Sequence, residues 1–363
     1  MDQDFNDRYS RHFPLNSIGK KGQLKLQNRR VLIAGMGGLG TVSSELLASI
    51  GVGYLRLVDY DVIERSNLPR QKLYTVKDIG KSKVEVAETR LQERNPQMEI
   101  DIHATRIDAL SANSLLEEID LVIDGLDKFS SRRALFRVAR TKNIPYIFTG
   151  AVAEQANIMT FTHADDKPCL ICVIGNTGDD PEQSCEVRGV HPSLLSMAAS
   201  IQVSEAVKVL LGKDSELDGK MLYIDLLDLS FDKIQFSRKE NCRLCGSSAT
   251  DQDELDQGEP GEITKGIRPL GNYGRGLVTS LCGRDTKIID PNWEITWDFK
   301  EVKSKLGQEY HVATSGKKYI TINVEGIGVS ILDSGVSTIR GAKTAKRAIE
   351  TFLQVYQLIN QIK

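Results

Sequence analysis

The chain has 363 residues, 40% of them apolar, enough to bury more core than one small domain needs. Its 47 basic and 49 acidic side chains leave a formal charge of −2, so no net field points to nucleic acid or an anionic membrane, and a protein or small-molecule partner is expected instead. The N-terminal MDQDFNDRYSRHF lacks a signal-peptide core and no run reaches the roughly 18 apolar residues of a membrane span, which predicts a cytoplasmic protein.

Between residues 31 and 150, short β-branched runs alternate with helical stretches. In order they are VLIAG, a helix from about Leu39 to Ile50, YLRLVD, a helix from Lys81 to Arg94, EIDIHA, a helix near Ala112 to Ile119, LVIDG, a helix near Ser131 to Thr141, and YIFTG. This alternation predicts an α/β fold, a Rossmann-like doubly wound, mostly parallel sheet covered on both faces. From Asn157 onward IMTFTH and MLYIDLL extend the sheet around one long helix from Pro192 to Gly212. Residues 247–262, SSATDQDELDQGEPGE, are acidic and have almost nothing to bury; they read as a flexible linker between a domain over 1–246 and a small C-terminal α+β domain over 263–363. That last segment carries GLVTSLC, TKIID, YHVAT, KYITINV, GVSILD and STIRG as strands, a helix near Phe299 to Leu306, and a closing helix from Thr344 to about Ile362.

The chemistry concentrates after the first strand. Gly35, Gly37, Gly38 and Gly40 allow a tight turn and close approach to a phosphate, held by the N-terminus of the following helix. Asp59, 24 residues past Gly35, stands where a carboxylate can take ribose hydroxyls. A nicotinamide-dependent oxidoreductase would share both features. The continuation DYDVIERSNLPRQ separates the readings by adding Asp61, Asn67, Arg70 and Gln71, with Lys83 on the next helix. Hydride transfer needs no such cationic clamp, whereas phosphoryl or adenylyl transfer does, because charge builds on phosphate oxygens in the transition state. Asp124 and Asp127, at the end of LVIDGLD, are carboxylates that can hold Mg²⁺ beside a triphosphate.

Cys169 and Cys172 form one CxxC and Cys242 and Cys245 another, with 69 residues between them. Two such knuckles complete the four-sulfur set of a structural Zn²⁺ and leave no open position, so the pair reads as a staple between distant chain segments. Cys185 lies just before the long helix with Arg188 nearby, both of which lower a thiol pKa. Cys282 reads as a core cysteine.

The ordered set RYSRHF, VLIAGMGGLG, VDYDVIERSNLPRQ, GKSK, VIDGLDKFSSR, CLIC, CEVRGV, SIQVSEAVKVLLG and CRLCG resembles the ThiF/MoeB/HesA family over residues 8 to 246. The resemblance implies a nucleotidyltransferase that uses ATP and Mg²⁺ to adenylate the C-terminal glycine of a ubiquitin-like sulfur-carrier protein and releases pyrophosphate. It implies that Gly35 to Gly40 cradle phosphates, that Asp59 holds the ribose, that Asn67, Arg70 and Lys83 grip the triphosphate, and that Asp127 holds magnesium. It further implies that Arg11 serves the opposite subunit of a homodimer and that Cys185 matches a cysteine able to link covalently to the activated carrier. Lys128 departs from the family's usual Asn after the magnesium aspartate. The C-terminal segment lacks a recognisable rhodanese loop, and its likeness in shape to half of a TATA-binding-type fold implies no DNA binding. The alternatives are a non-catalytic scaffold for a ubiquitin-like protein and an NAD-dependent oxidoreductase.

Overall fold

The structure is a computed structural model that describes residues 3–175, 178–179, 185–246, 267–270, 275–280, 286–291 and 297–360. The expected linker over 247–262, Cys282 and the side chain of Cys185 lie outside the described residues.

Two short helices, α1 (Gln3–Tyr9) and α2 (Gly19–Leu26), precede the first sheet. Its strands β1 (Arg30–Ala34), β2 (Tyr54–Val58), β3 (Glu99–His103), β4 (Leu121–Asp124) and β5 (Tyr146–Val152) are parallel neighbours in the order β3-β2-β1-β4-β5. β6 (Gln155–Phe161), β7 (Lys220–Asp225) and β8 (Ser230–Gln235) continue it antiparallel, to eight strands in all. β1 and β4 are buried along nearly their whole length, as expected of parallel strands covered on both faces. The chain leaves β1 toward β2 on one side and later returns to β4 on the other, so a crevice opens at the carboxyl ends of these two strands.

On one face of the sheet lie α3 (Gly38–Ile50), α4 (Lys83–Arg94) and the long α9 (Pro192–Leu210), joined in one apolar core through Leu47, Ala87, Leu91, Leu194, Ala198 and Val203. On the other lie α5 (Ala112–Leu115), α6 (Phe129–Thr141) and α7 (Leu170–Ile174), packed around Phe136, Tyr146 and Phe161. A short α8 (Cys185–Arg188) leads into α9. α3 stops at Gly51, whose φ of 92° gives the left-handed cap that an L side chain resists.

The C-terminal strands β9 (Ile267–Pro269), β10 (Arg275–Ser280), β11 (Thr286–Asp290), β12 (His311–Ser315), β13 (Tyr319–Val324), β14 (Ile327–Leu332) and β15 (Ser337–Arg340) form a second sheet in the order β12-β13-β14-β15-β11-β10-β9, antiparallel throughout. Alternation sorts its side chains: Ile320, Ile322, Val324, Val329, Ile331 and Ile339 face α10 (Phe299–Glu309) and α11 (Ala345–Ile359). The other face meets the first sheet's layer, where Ile288, Tyr319, Leu332 and Val336 enter the core that holds α3, α4 and α9.

Several elements differ from the sequence reading. α4 starts at Lys83, not Lys81, because residues 80–83 first pair back onto 61–63: Gly80 N donates to Ile63 O (2.8 Å), Ile63 N to Lys81 O (2.9 Å) and Lys83 N to Asp61 O (3.1 Å). α5 ends after four residues, before Glu118 adopts a φ of 57°. α1, α2, α7, α8, β8 and β9 are not among the expected elements; β8 is SFDKIQ, an edge strand exposed at most positions, which carries no apolar alternation to read.

Candidate nucleotide and metal sites

The glycine turn occupies the crevice between β1 and β4. Gly35 has a φ of 88°, and a Cβ there would lie 2.8 Å from Gly125 O, while a Cβ on Gly40 would lie 1.8 Å from Gly35 O. Packing alone therefore demands glycine at these two positions. Gly37 differs: a Cβ there would meet nothing nearer than 3.9 Å, and that neighbour is the amide nitrogen of Gln71. α3 begins beside it without a side-chain cap, so its first N–H groups have no donor-satisfying partner from a capping residue. Gln71 is 2% exposed, and its Oε1 is buried without a hydrogen-bond partner among the described residues. An open cradle, an uncapped helix N-terminus and an orphaned amide oxygen together fit a polyanionic ligand with a donor to spare.

Asp59 organises the turn. One carboxylate oxygen accepts Met36 N–H and the other Asp61 N–H, each at 2.7 Å. Burial raises its pKa, opposed by the Lys83 ammonium 3.9 Å away. Lys83 Nζ lies 2.7 Å from Asp61 Oδ2; burial alone would lower the lysine's pKa, but the Asp59 and Asp61 carboxylates outweigh it and raise it. Lys83 is thus held charged, and an ammonium with three donors keeps capacity for a phosphate. Asn67 is buried and accepts Glu64 N–H at 3.0 Å, closing a capping box over the turn 65–67. Arg70 follows, with Nη1 donating to Ser66 O at 2.7 Å. The structure therefore brings Gly35, Gly37, Gly38, Gly40, Asp59, Asp61, Asn67, Arg70, Gln71 and Lys83 onto one linked set of turns. Tyr74 was not singled out from the sequence, yet its buried hydroxyl donates to Met36 O (3.0 Å) and lies 3.3 Å from Lys83 O, bracing the glycine turn against the start of α4. An aromatic hydroxyl that close to a motif needs a partner when buried, which is the signal that could have found it.

Asp124 and Asp127 separate. Asp124 is fully buried and pairs with Arg132 at 2.7 Å, so it is a core ion pair rather than a metal ligand. Asp127 is exposed, and its charge acts on both Lys83 and Tyr60. Lys128 precedes α6 and cannot accept a capping hydrogen bond; its ammonium lies 6.0 Å over the Tyr60 ring. Asp179 supplies the missing cap, accepting Phe129 N–H and, at 2.6 Å, the Ser130 hydroxyl.

Arg11 is exposed and distant from its own glycine turn. Its neighbour Tyr9 packs on Gly51, and His12 contacts Gln23, which donates to Ile50 O. These contacts sit at the C-terminal end of α3, whose 13 residues span about 20 Å from the turn at its other end.

The four cysteines converge as the spacing predicts. Cys169 caps α7 and Cys172 lies in its first turn; Cys242 and Cys245 lie beyond β8. All are buried, and their sulfurs lie within 4.8 Å of one another, with separations of 3.7 Å (169–172), 3.5 Å (169–242) and 3.4 Å (172–245). A tetrahedral Zn²⁺ with bonds of ~2.3 Å needs sulfurs about 3.8 Å apart, whereas a disulfide needs about 2.05 Å. Burial pushes Cys169 up and Cys245 up to about 11, while backbone N–H groups of Leu244 and Cys245 overcome burial and draw Cys242 down to about 7. The cluster fits a closed four-thiolate metal site.

Residues 9–244 match the model of the ThiF family. The chain is 35% identical over 251 residues to the SAMP-activating enzyme E1 of Haloferax volcanii, covering 68% of this chain and 92% of that one. It is 34% identical over 257 residues to the sulfur carrier protein adenylyltransferase of Thermus thermophilus, covering 69% and 94%. Among solved structures, MccB of Escherichia coli crystallised with ATP superposes with a TM-score of 0.56 at 25% identity, covering 68% of this chain and 76% of that one.

Proposed function

Since the chain belongs to the ThiF family, we propose that it is an ATP-dependent adenylyltransferase that activates the C-terminal glycine carboxylate of a ubiquitin-like sulfur-carrier protein. The carboxylate attacks the α-phosphate of ATP, an acyl adenylate forms and pyrophosphate leaves. A carboxylate is already ionised, so no general base is required and the rate comes from alignment and charge neutralisation. The observation that carries this reading is the cationic and amide set around the open Gly37 cradle: Lys83 held charged by Asp59 and Asp61, Arg70 beyond the Asn67 turn, and Gln71, whose Oε1 has no partner among the described residues.

Asp59 would hold the ribose, and Asn67, Arg70 and Lys83 the triphosphate. Asp127 is the carboxylate that would hold Mg²⁺; one exposed carboxylate with substrate phosphates is the donor set that ion favours, and the ion would neutralise charge on the phosphate oxygens. The four cysteines would hold a structural Zn²⁺. Arg11 would act in the partner's site of a homodimer, which its distance from its own glycine turn supports. Cys185 would accept the activated carrier, in a protein of the cytoplasm divided into an adenylation domain over 1–246 and an α+β domain over 263–363.

Exchange of labelled pyrophosphate into ATP, driven by glycine-terminated ubiquitin-like proteins of the source genome, tests the reading. Exchange that requires such a carrier and is lost in both Arg70→Ala and Asp127→Ala supports adenylation. Near-normal exchange in both variants overturns the site assignment, and Cys185→Ser should keep exchange while losing any reductant-sensitive carrier adduct.

A further inference from the structure

Among the apolar side chains that the second sheet sends into the first layer's core, its facing side also carries a row of buried hydroxyls. At its centre Arg340 Nη2 donates to Ser330 Oγ (3.1 Å), Ser330 and Thr321 share a hydrogen bond of 2.8 Å, and Thr321 Oγ1 donates to Gly80 O at 2.8 Å. Ser330 is 1% exposed and Thr321 5%. The direction of this chain is forced. A guanidinium only donates and a backbone carbonyl only accepts; Thr321 has one proton and gives it to Gly80, so the proton between the two hydroxyls must come from Ser330. Each hydroxyl gives its one proton, and the chain runs one way from Arg340 to Gly80. Such a row holds its two buried hydroxyls in one geometry, since breaking either of their links orphans a polar group in a dry interface.

What the row holds is the clip that leads into the nucleotide site. Gly80 has a φ of 87°, and a Cβ there would already lie 3.5 Å from Thr314 and 3.7 Å from Arg340, so the second sheet sits directly against this turn. From Gly80 the pairing with 61–63 delivers Asp61 and Lys83 to their 2.7 Å contact. Glu64, which offsets the burial of Arg340, is the residue that caps the turn carrying Asn67 and precedes Arg70. Two residues past Lys83, the Glu85 carboxylate accepts the backbone N–H groups of Lys317 and Lys318, and no room remains there: a Cβ on Gly316 would lie 2.1 Å from Glu85 Oε2.

We propose that Thr321, Ser330 and Arg340 are positioning residues for ATP binding: through the Gly80 carbonyl the C-terminal sheet sets the clip that presents Asp61 and Lys83 to the triphosphate. This assigns the C-terminal segment a part in the nucleotide site, and it rests on the reading of that site as an ATP site.

Calorimetric titration of the full chain with ATP and Mg²⁺ tests it without a carrier protein. Thr321→Val keeps the side chain's shape and Ser330→Ala removes a single oxygen, so both leave the fold able to form. Each is expected to weaken ATP binding roughly five- to tenfold, the cost of one broken buried link, while Arg340→Lys, which retains a donor, stays closer to the wild type than Arg340→Ala. Lys317→Ala removes a rim ion pair with Glu88 (3.4 Å) on the same docked face and should bind ATP like the wild type. Unchanged affinity in Thr321→Val and Ser330→Ala, with binding lost in Arg70→Ala, overturns the positioning role and leaves the ATP site standing. Equal weakening in Lys317→Ala overturns it in favour of docking at large. A wild-type protein that binds no ATP overturns both this inference and the reading beneath it.

Discussion

The glycine crevice and the cysteine cluster are both built from residues far apart in sequence, yet they are finished in opposite ways. At the cysteines the donors are matched to one another: four buried sulfurs lie within 4.8 Å of each other, the full set of a closed four-thiolate site. At the crevice the charges are paired and braced while hydrogen-bonding capacity is left over, in the uncapped start of α3 and in Gln71 Oε1, which has no partner among the described residues. A closed site contributes to stability and an incomplete one to binding. The comparison therefore predicts that substitutions at the two sites have separable consequences.

The largest effect belongs to the cysteines. If the cluster holds zinc, metal analysis should find about one per chain in the wild type and less in Cys242→Ser, and the substitution should lower the melting temperature by on the order of 10 °C, because metal binding free energy is folding free energy. Equal stability of metal-loaded and chelator-stripped protein would break the comparison on this side. At the crevice the pattern reverses. Arg70→Ala should reduce pyrophosphate exchange by roughly 10²- to 10³-fold with little change in melting temperature, since its loss removes charge stabilisation rather than packing.

Two smaller effects sharpen the boundary between the sites. His163, beside Phe136 in the layer that contains the cysteines, donates its Nε2–H to Ile144 O (2.7 Å), and burial draws its pKa down from 6.5 to about 4. The folded state thus favours the neutral ring: its contribution is fully present above pH ~6.5 and is lost as the pH falls toward 4, on the order of 2–3 kcal/mol. Urea denaturation at pH 7 and pH 5 should show this loss in the wild type and a flatter profile in His163→Asn, which also suits the positive φ of 67°. Smallest is Asp179→Ala, which removes the cap of α6 and should cost about 1 kcal/mol in the same assay; no change would mean that Asp179 does not replace the cap Lys128 cannot provide.

The outcome at individual residues shows what a sequence makes visible. β1, β2, β4 and β5 were readable because strands covered on both faces are continuous apolar runs, and the two knuckles because tetrahedral sulfur chemistry dictates their spacing. β8 was not, since an exposed edge strand buries nothing that would leave a pattern. Asp124 and Asp127 share a motif, and only the fold reveals that Arg132, eight residues on, neutralises the first and leaves the second exposed. The docking of the second sheet was equally hidden: nothing in KYITINV, GVSILD or STIRG marks Thr321, Ser330 and Arg340 as the residues that meet Gly80, because polar positions of an alternating strand look the same whether water or another layer covers them.

The chemistry assigned to the crevice occurs at a carrier's terminal carboxylate. Intact-mass analysis of a glycine-terminated ubiquitin-like protein incubated with the enzyme, ATP and Mg²⁺ tests it most directly. The expected product is an AMP adduct at that carboxylate, formed with stoichiometric pyrophosphate and absent when the terminal glycine is removed or Arg70→Ala is used. ATP turnover to ADP with no adduct, or an adduct that survives both changes, would contradict it.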